Sequence, residues 1–240
     1  MNPTAIQSIS TLDPCVPLRL DAGEFIIGNA PGLFGGSGGD GPRELVVFDV
    51  ETTGLSWEND EIIQVAGVKI ADGKINREKA FFSYVKPRHK IPSFITRLTG
   101  VTNARVSKAP KPVEALTRFS NFCGDAILVA HNGHVFDMRF IRSVCIKNHC
   151  PVRTVRYLDT MHVSWRLWGR GRGVSHSLDR VRGRLRVSTK GLKRHDARGD
   201  VEILARCLLK MLVHLADEKE GCAISTFYGF LPSGEVRNSI

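Results

Sequence analysis

The residues of this chain best suited to chemistry are acids placed where acids are costly. In Glu44 to Leu55, ELVVFDVETTGL, the run Leu45 to Val50 is apolar except for Asp49. Such a run reads as a strand covered on both faces. Successive strand side chains alternate, so Asp49 and Glu51 project to one side and Val50 to the other. Two carboxylates that close repel and raise each other's pKa, and a divalent cation with oxygen ligands keeps both ionised. The competing reading is a strand end with two solvated acids. A third acid, Asp137, lies in HNGHVFDMRFI (His131 to Ile141), which begins a helix with Phe136 and Phe140 on one face. Taken alone, it reads as an N-terminal helix-dipole partner. The last group is RHDARGD, with His195, Asp196 and Asp200. His195 and Asp200 are separated by about 140° on an ideal helix, so they converge only if His195 sits on the preceding loop. Asp196 and Asp200 share a helix face, and spacing alone does not choose between them.

The elements that must position these groups follow from periodicity and turn chemistry. Glu61 to Ile70 and Ala80 to Val85 read as strands, with Asp72-Gly73 as a hairpin turn signal. Pro87 and Pro92 break the chain, and Ser93 is placed to cap a short helix ending at Gly100. Pro112 opens a second helix through Phe122, with Val113, Leu116 and Phe119 at helical spacing. Ala126 to Ala130 reads as a short buried strand running into the Asp137 stretch, and Asp159 as the cap of the next helix. Ala197 to Leu215 forms a long helix with Val201, Leu204, Leu208 and Leu212 along one stripe. Three domains of the sequence are expected: a glycine-rich arm (1–43), a folded body (44–217) and a tail (218–240). Within the arm, Leu18 to Ile27 reads as mobile rather than as a strand against a sheet edge. The tail aromatics in STFYGFL (Ser225 to Leu231) are expected to pack on the body.

At 240 residues the chain suffices for one substantial core, and 42% hydrophobic with 24% charged residues is ordinary for a globular protein. The net charge of +10 and pI near 9.6 favour a polyanionic partner such as nucleic acid. Much of that charge comes from Arg166 to Arg186, where seven arginines mix with glycines and Trp168. Guanidinium groups on flexible backbone suit phosphate contacts, and Trp168 is placed to stack on a base. The six cysteines contain no CxxC pair, so a reducing, cytoplasmic setting is expected, and Cys145, His149 and Cys150 read as structural. No secretory leader and no run near the ~20 apolar residues of a membrane span is present, so no membrane partner is expected.

Taken together, DVETTGL, HNGHVFDMRFI and HDARGD resemble the three motifs of the DEDDh (DnaQ-like) 3′–5′ exonuclease family, which includes proofreading epsilon subunits of bacterial DNA polymerase III. The motif order, Phe136 before Asp137, LTGVT at 98–102 and SHSLD at 175–179 fit the same pattern, over roughly residues 44–215. The resemblance implies an α/β, RNase H-like exonuclease fold, with a central mixed β-sheet flanked by helices on both faces. It implies metal ligands at Asp49, Glu51, Asp137 and Asp200 and a general base at His195, with Asp196 outside the pattern. Thr52, Thr53, Gly54 and Leu55 would hold the terminal nucleotide, together with Asn132 and Phe136. The cofactor implied is Mg²⁺, as two ions about 4 Å apart, with Mn²⁺ able to substitute. The expected reaction is hydrolysis of the terminal phosphodiester of DNA, single-stranded or with a 3′ overhang, to 5′-mononucleotides. An exoribonuclease trimming RNA 3′ ends, or a non-catalytic module binding nucleic acid or a polymerase, are the rival readings. The arm and tail are the expected contacts with a polymerase or nucleic-acid-processing complex.

Overall fold

The computed structural model describes residues 6–7, 24–27, 44–216 and 222–234. Its strands are β1 (Ile6–Gln7), β2 (Glu24–Ile27), β3 (Glu44–Thr52), β4 (Ile62–Ala71), β5 (Lys74–Tyr84), β6 (Ile127–Ala130), β7 (Val152–Asp159), β8 (Cys222–Ser225) and β9 (Phe227–Pro232). The helices are α1 (Ser93–Thr99), α2 (Asn103–Val106), α3 (Pro112–Cys123), α4 (Asp137–Lys147), α5 (Thr160–Trp168), α6 (Leu178–Arg184) and α7 (Ala197–Ala216). The main sheet runs β1-β7-β6-β3-β4-β5, with β9 also paired to β7. Strands β3, β6 and β7 are parallel, and β4 and β5 continue from β3 as an antiparallel meander.

Alternation along β3 sets the layers. Leu45 and Val47 join the core under α7, with Val201, Leu204, Leu208 and Leu212 opposite. Val46, Phe48 and Val50 join the core under α3 and α4, against Leu116, Phe119, Phe140 and Ile141. A strand buried on both faces is apolar throughout, and Asp49 and Glu51 inherit the α7 side of the sheet. Asp72 and Gly73, at φ 49° and 71°, form the left-handed pair of a tight hairpin.

Several local expectations change. Strand β5 begins at Lys74 rather than Ala80, because its first half is a largely solvent-facing ribbon with no apolar run. Ser93 does not cap α1: Pro92 holds that position without a side-chain bond, while Gly100 closes the helix at φ 78°. Residues 131–136 form a turn, and α4 begins only at Asp137. Asp159 caps α5 through Met161 N–H at 2.9 Å. Strand β7 carries Arg153 and Arg156 among its apolar residues, which hid it from periodicity. Its edge takes up β9, so Phe227 and Phe230 of the tail pack on the body while Tyr228 stays exposed. Glu24–Ile27 pairs antiparallel with Cys222–Ser225; residues 18–23 and the glycine-rich 28–43 lie outside the described residues. Cys150 Sγ donates to the Cys145 carbonyl at 3.6 Å while His149 is exposed at φ 46°, a structural close to α4. Among the described residues no helix is long and apolar enough to cross a membrane.

Candidate active site

Asp49 and Glu51 stand at the carboxyl end of β3. Strand β6 pairs with β3 only as far as Val47, which leaves the Val50 N–H free of that ladder. Asp137 Oδ1 accepts it at 3.1 Å, so the first residue of α4 is clamped against β3 between the two strand acids. His195 lies on the loop before α7, in the left-handed region at φ 56°. From there its N–H donates to Asp200 Oδ2 at 3.1 Å, and ligand atoms of Glu51, His195 and Asp200 lie within 4.8 Å of one another. Gly199 permits this fold of the loop. A Cβ there would overlap the Lys193 carbonyl oxygen and stand 2.9 Å from its carbonyl carbon. Lys193 Nζ in turn donates to Thr99 O at 2.9 Å, tying the loop to the end of α1.

The ambiguity between the two acids of RHDARGD resolves in space. Asp196 Oδ1 accepts the Arg198 N–H at 3.1 Å, and Oδ2 pairs with the Arg198 guanidinium at 3.0 Å. It caps α7. Asp200, one turn on, faces Glu51 and His195.

The electrostatics are those of crowded, desolvated acids. Burial raises Asp49 far above the carboxylate range, and repulsion from Asp137, Glu51 and Asp200 adds to it. Burial and the neighbouring Asp200 and Asp137 push Glu51 up to about 8. Burial takes Asp137 to about 7, against the opposing Val50 N–H bond, and raises Asp200 despite the nearby Arg194. Arg194 is the local counter-charge: its guanidinium donates to Asp200 and, at 3.1 and 3.3 Å, to both oxygens of Asp179. One guanidinium cannot balance four carboxylates. The donor set, carboxylate oxygens with one imidazole, fits a hard divalent cation, which would let the acids ionise together.

The loop after β3 presents less side chain than its sequence suggests. The Thr53 hydroxyl accepts Glu61 N–H at 2.9 Å and donates to Asp60 at 3.1 Å, and the Thr52 hydroxyl bonds to Gly54 O. Leu55 is 85% exposed beside them. Asn132 sits at φ 64°, its N–H held by Asp159 Oδ1 at 2.8 Å, and Phe136 packs on Phe140 with centroids 4.9 Å apart. Sequence reasoning missed two groups. Gln64, opposite Glu51 in the β3–β4 ladder, is fully buried and accepts Ala197 N–H at 3.1 Å; its Nε2 has no partner among the described residues. A glutamine inside EIIQVAGVKI was the available signal. Arg194 gave none, standing among many arginines.

A family model described as Exonuclease matches residues 46–208, a span that contains all five acidic and imidazole groups. The chain is 40% identical over 174 residues to a DNA polymerase III PolC-type protein of Caldanaerobacter subterraneus, covering 72% of this chain and 12% of that protein. It is 39% identical over 173 residues to a DNA polymerase III subunit epsilon-like protein of Rhodobacter capsulatus, covering 70% and 23%. The chain thus spans less than a quarter of the length of these relatives. Among solved structures, the nuclease domain of 3′hExo, a DEDDh family member bound to rAMP, superposes with TM-score 0.62 at 18% identity, covering 76% of this chain and 96% of that one. Exonuclease X in complex with 5′ overhanging duplex DNA gives 0.55 at 24% identity, covering 70% and 90%. The sheet and helices are therefore those of the RNase H-like exonuclease fold, and the chain belongs to the exonuclease family.

Proposed function

We propose that this chain is a 3′–5′ exonuclease acting on single-stranded DNA or 3′ overhangs and releasing 5′-mononucleotides. The observation that carries the proposal is the convergence of Glu51, His195 and Asp200 within 4.8 Å, beside the half-buried Asp49 and the buried Asp137. Asp49, Glu51, Asp137 and Asp200 would hold two Mg²⁺ ions, or Mn²⁺. When bound, such ions supply a more acidic water and neutralise charge developing on the leaving 3′ oxygen. The chain's own groups do the rest. His195 takes the proton from the attacking water, and Asp200 fixes the loop that carries it by accepting the His195 backbone N–H. Leu55 offers its exposed side chain to the terminal base, and the backbone of Thr52, Thr53 and Gly54 faces the 3′-hydroxyl, with Asn132 and Phe136 closing the pocket. The names of the PolC-type relatives support DNA as the polymer and a polymerase as the physiological associate, reached through the arm (1–43) or the tail (218–240) around a catalytic body (44–217). Buried free thiols at Cys123, Cys145, Cys150 and Cys207 support a reducing, cytoplasmic setting.

Two variants test the assignment. Asp49→Ala abolishes cleavage with the circular dichroism spectrum retained, and His195→Ala slows single-turnover hydrolysis by ~10²- to 10⁴-fold. Wild-type rates in either variant remove that residue from its role.

A further inference from the structure

The arginine-rich stretch is divided by the fold. Trp168 packs half-buried against the α7 core, where its ring is part of the fold, with Arg184 over it at 5.1 Å. Trp165, on the same helix, packs into none of the apolar cores of the described residues. Its ring centroid is 4.5 Å from that of His162, and the Arg170 guanidinium lies over it at 3.9 Å. His162 meets Phe227 edge-on at 4.9 Å, and Phe227 is 5.4 Å from His134. Five planar groups thus form a continuous row: His134, Phe227, His162, Trp165, Arg170. The row starts at the catalytic loop, because His134 N–H is held by Asp159 at 3.0 Å in the turn that delivers Asp137. It ends at the exposed Arg170, between Gly169 at φ 74° and Gly171.

We propose that Trp165, backed by His162, is a stacking platform for a nucleobase of the single strand upstream of the cleaved end. The proposal rests on the exonuclease reading above. Trp165 is half-buried yet outside every apolar core of the described residues, and base–aromatic stacking binds any base and suits an enzyme that must advance along arbitrary sequence. A guanidinium stacks on an aromatic face in the manner of a base. Arg170 covers the ring in the free protein, and its glycine neighbours let it turn away to a phosphate when a base takes its place. Arg172, also exposed, adds a second phosphate contact on the same loop. Burial lowers the His162 pKa, which keeps the backing ring neutral.

The test uses the full chain and two probes: a fluorescein-labelled 15-mer of deoxythymidylate, and the p-nitrophenyl ester of thymidine 5′-monophosphate, which has no upstream base. In EDTA the 15-mer quenches tryptophan fluorescence of the wild type. In Trp165→Leu that quenching is lost and affinity falls by roughly 5- to 150-fold, the range of one stacked base. With Mg²⁺, kcat/KM on the 15-mer falls at least fivefold more than on the ester, and Trp165→Phe recovers most of the difference. Equal losses on both substrates assign Trp165 a structural role and overturn the platform, as does a Trp165→Leu protein that binds the 15-mer like the wild type. A wild type that neither binds nor cuts the 15-mer removes the exonuclease reading and the platform with it.

Discussion

Gly199 separates helix propensity from site geometry. It lies in the first turn of α7, where replacing glycine by alanine ordinarily stabilises a helix by about 1 kcal/mol. Here the new methyl group would stand 2.9 Å from the Lys193 carbonyl carbon and overlap its oxygen. Ordinary carbon–carbon contacts lie at ~3.5–4.0 Å, so the loop must retreat by about 1 Å. That loop carries Arg194 and His195, and a displacement of ~1 Å at a catalytic group costs on the order of 10²-fold in rate. Overpacking costs ~1–3 kcal/mol and offsets the propensity gain. Gly199→Ala is therefore expected to fold with an unchanged or lower Tm and to lose about 10²-fold in single-turnover hydrolysis of single-stranded DNA. Calorimetry and a quenched-flow time course on the same preparation read both quantities. A raised Tm with wild-type rates would refute the reasoning.

Two further outcomes follow from the acids. Glu51 and Asp137, at about 8 and about 7 in the fold, sit above their unfolded values, so the fold favours their protonated forms. In EDTA, the stability these two groups contribute should be full below about pH 4 and be lost by on the order of a few kcal/mol as pH rises through 7 to 8, with saturating Mg²⁺ flattening the curve; a metal-free Tm that climbs between pH 6 and 9 contradicts this. Asp196→Ala should remove a helix cap, costing about 1 kcal/mol in denaturant melts with less than a tenfold effect on rate, whereas Asp200→Asn should abolish cleavage; the reverse ranking would exchange the two acids.

What could be read from the sequence was local. Strand β3 announced itself because burial on both faces demands an apolar run, and the two acids stand out against it. The α7 stripe and the Asp72-Gly73 hairpin were legible for the same reason: their signals lie within one turn or one strand. Strand β7 was not, because Arg153 in it reaches Ser120 on α3 at 2.8 Å and its other edge is completed by β9, more than sixty residues on. The choice between Asp196 and Asp200 was hidden too, since it depends on a left-handed His195 and on a glycine that admits the Lys193 carbonyl. Likewise Trp168 looked like the stacking residue until its ring was found against α7, leaving Trp165 outside the core.

The central claim is that these five groups form a metal-dependent nuclease centre working from the 3′ end. Digestion of 5′-labelled single-stranded DNA by wild type and Asp49→Ala, with Mg²⁺ or EDTA and with duplex DNA and RNA in parallel lanes, tests it most directly. The expected result is a ladder that shortens from the 3′ end in Mg²⁺ only, absent in Asp49→Ala and strongest on single-stranded DNA. Binding without a ladder in Mg²⁺ or Mn²⁺, or a ladder that survives EDTA, would contradict it.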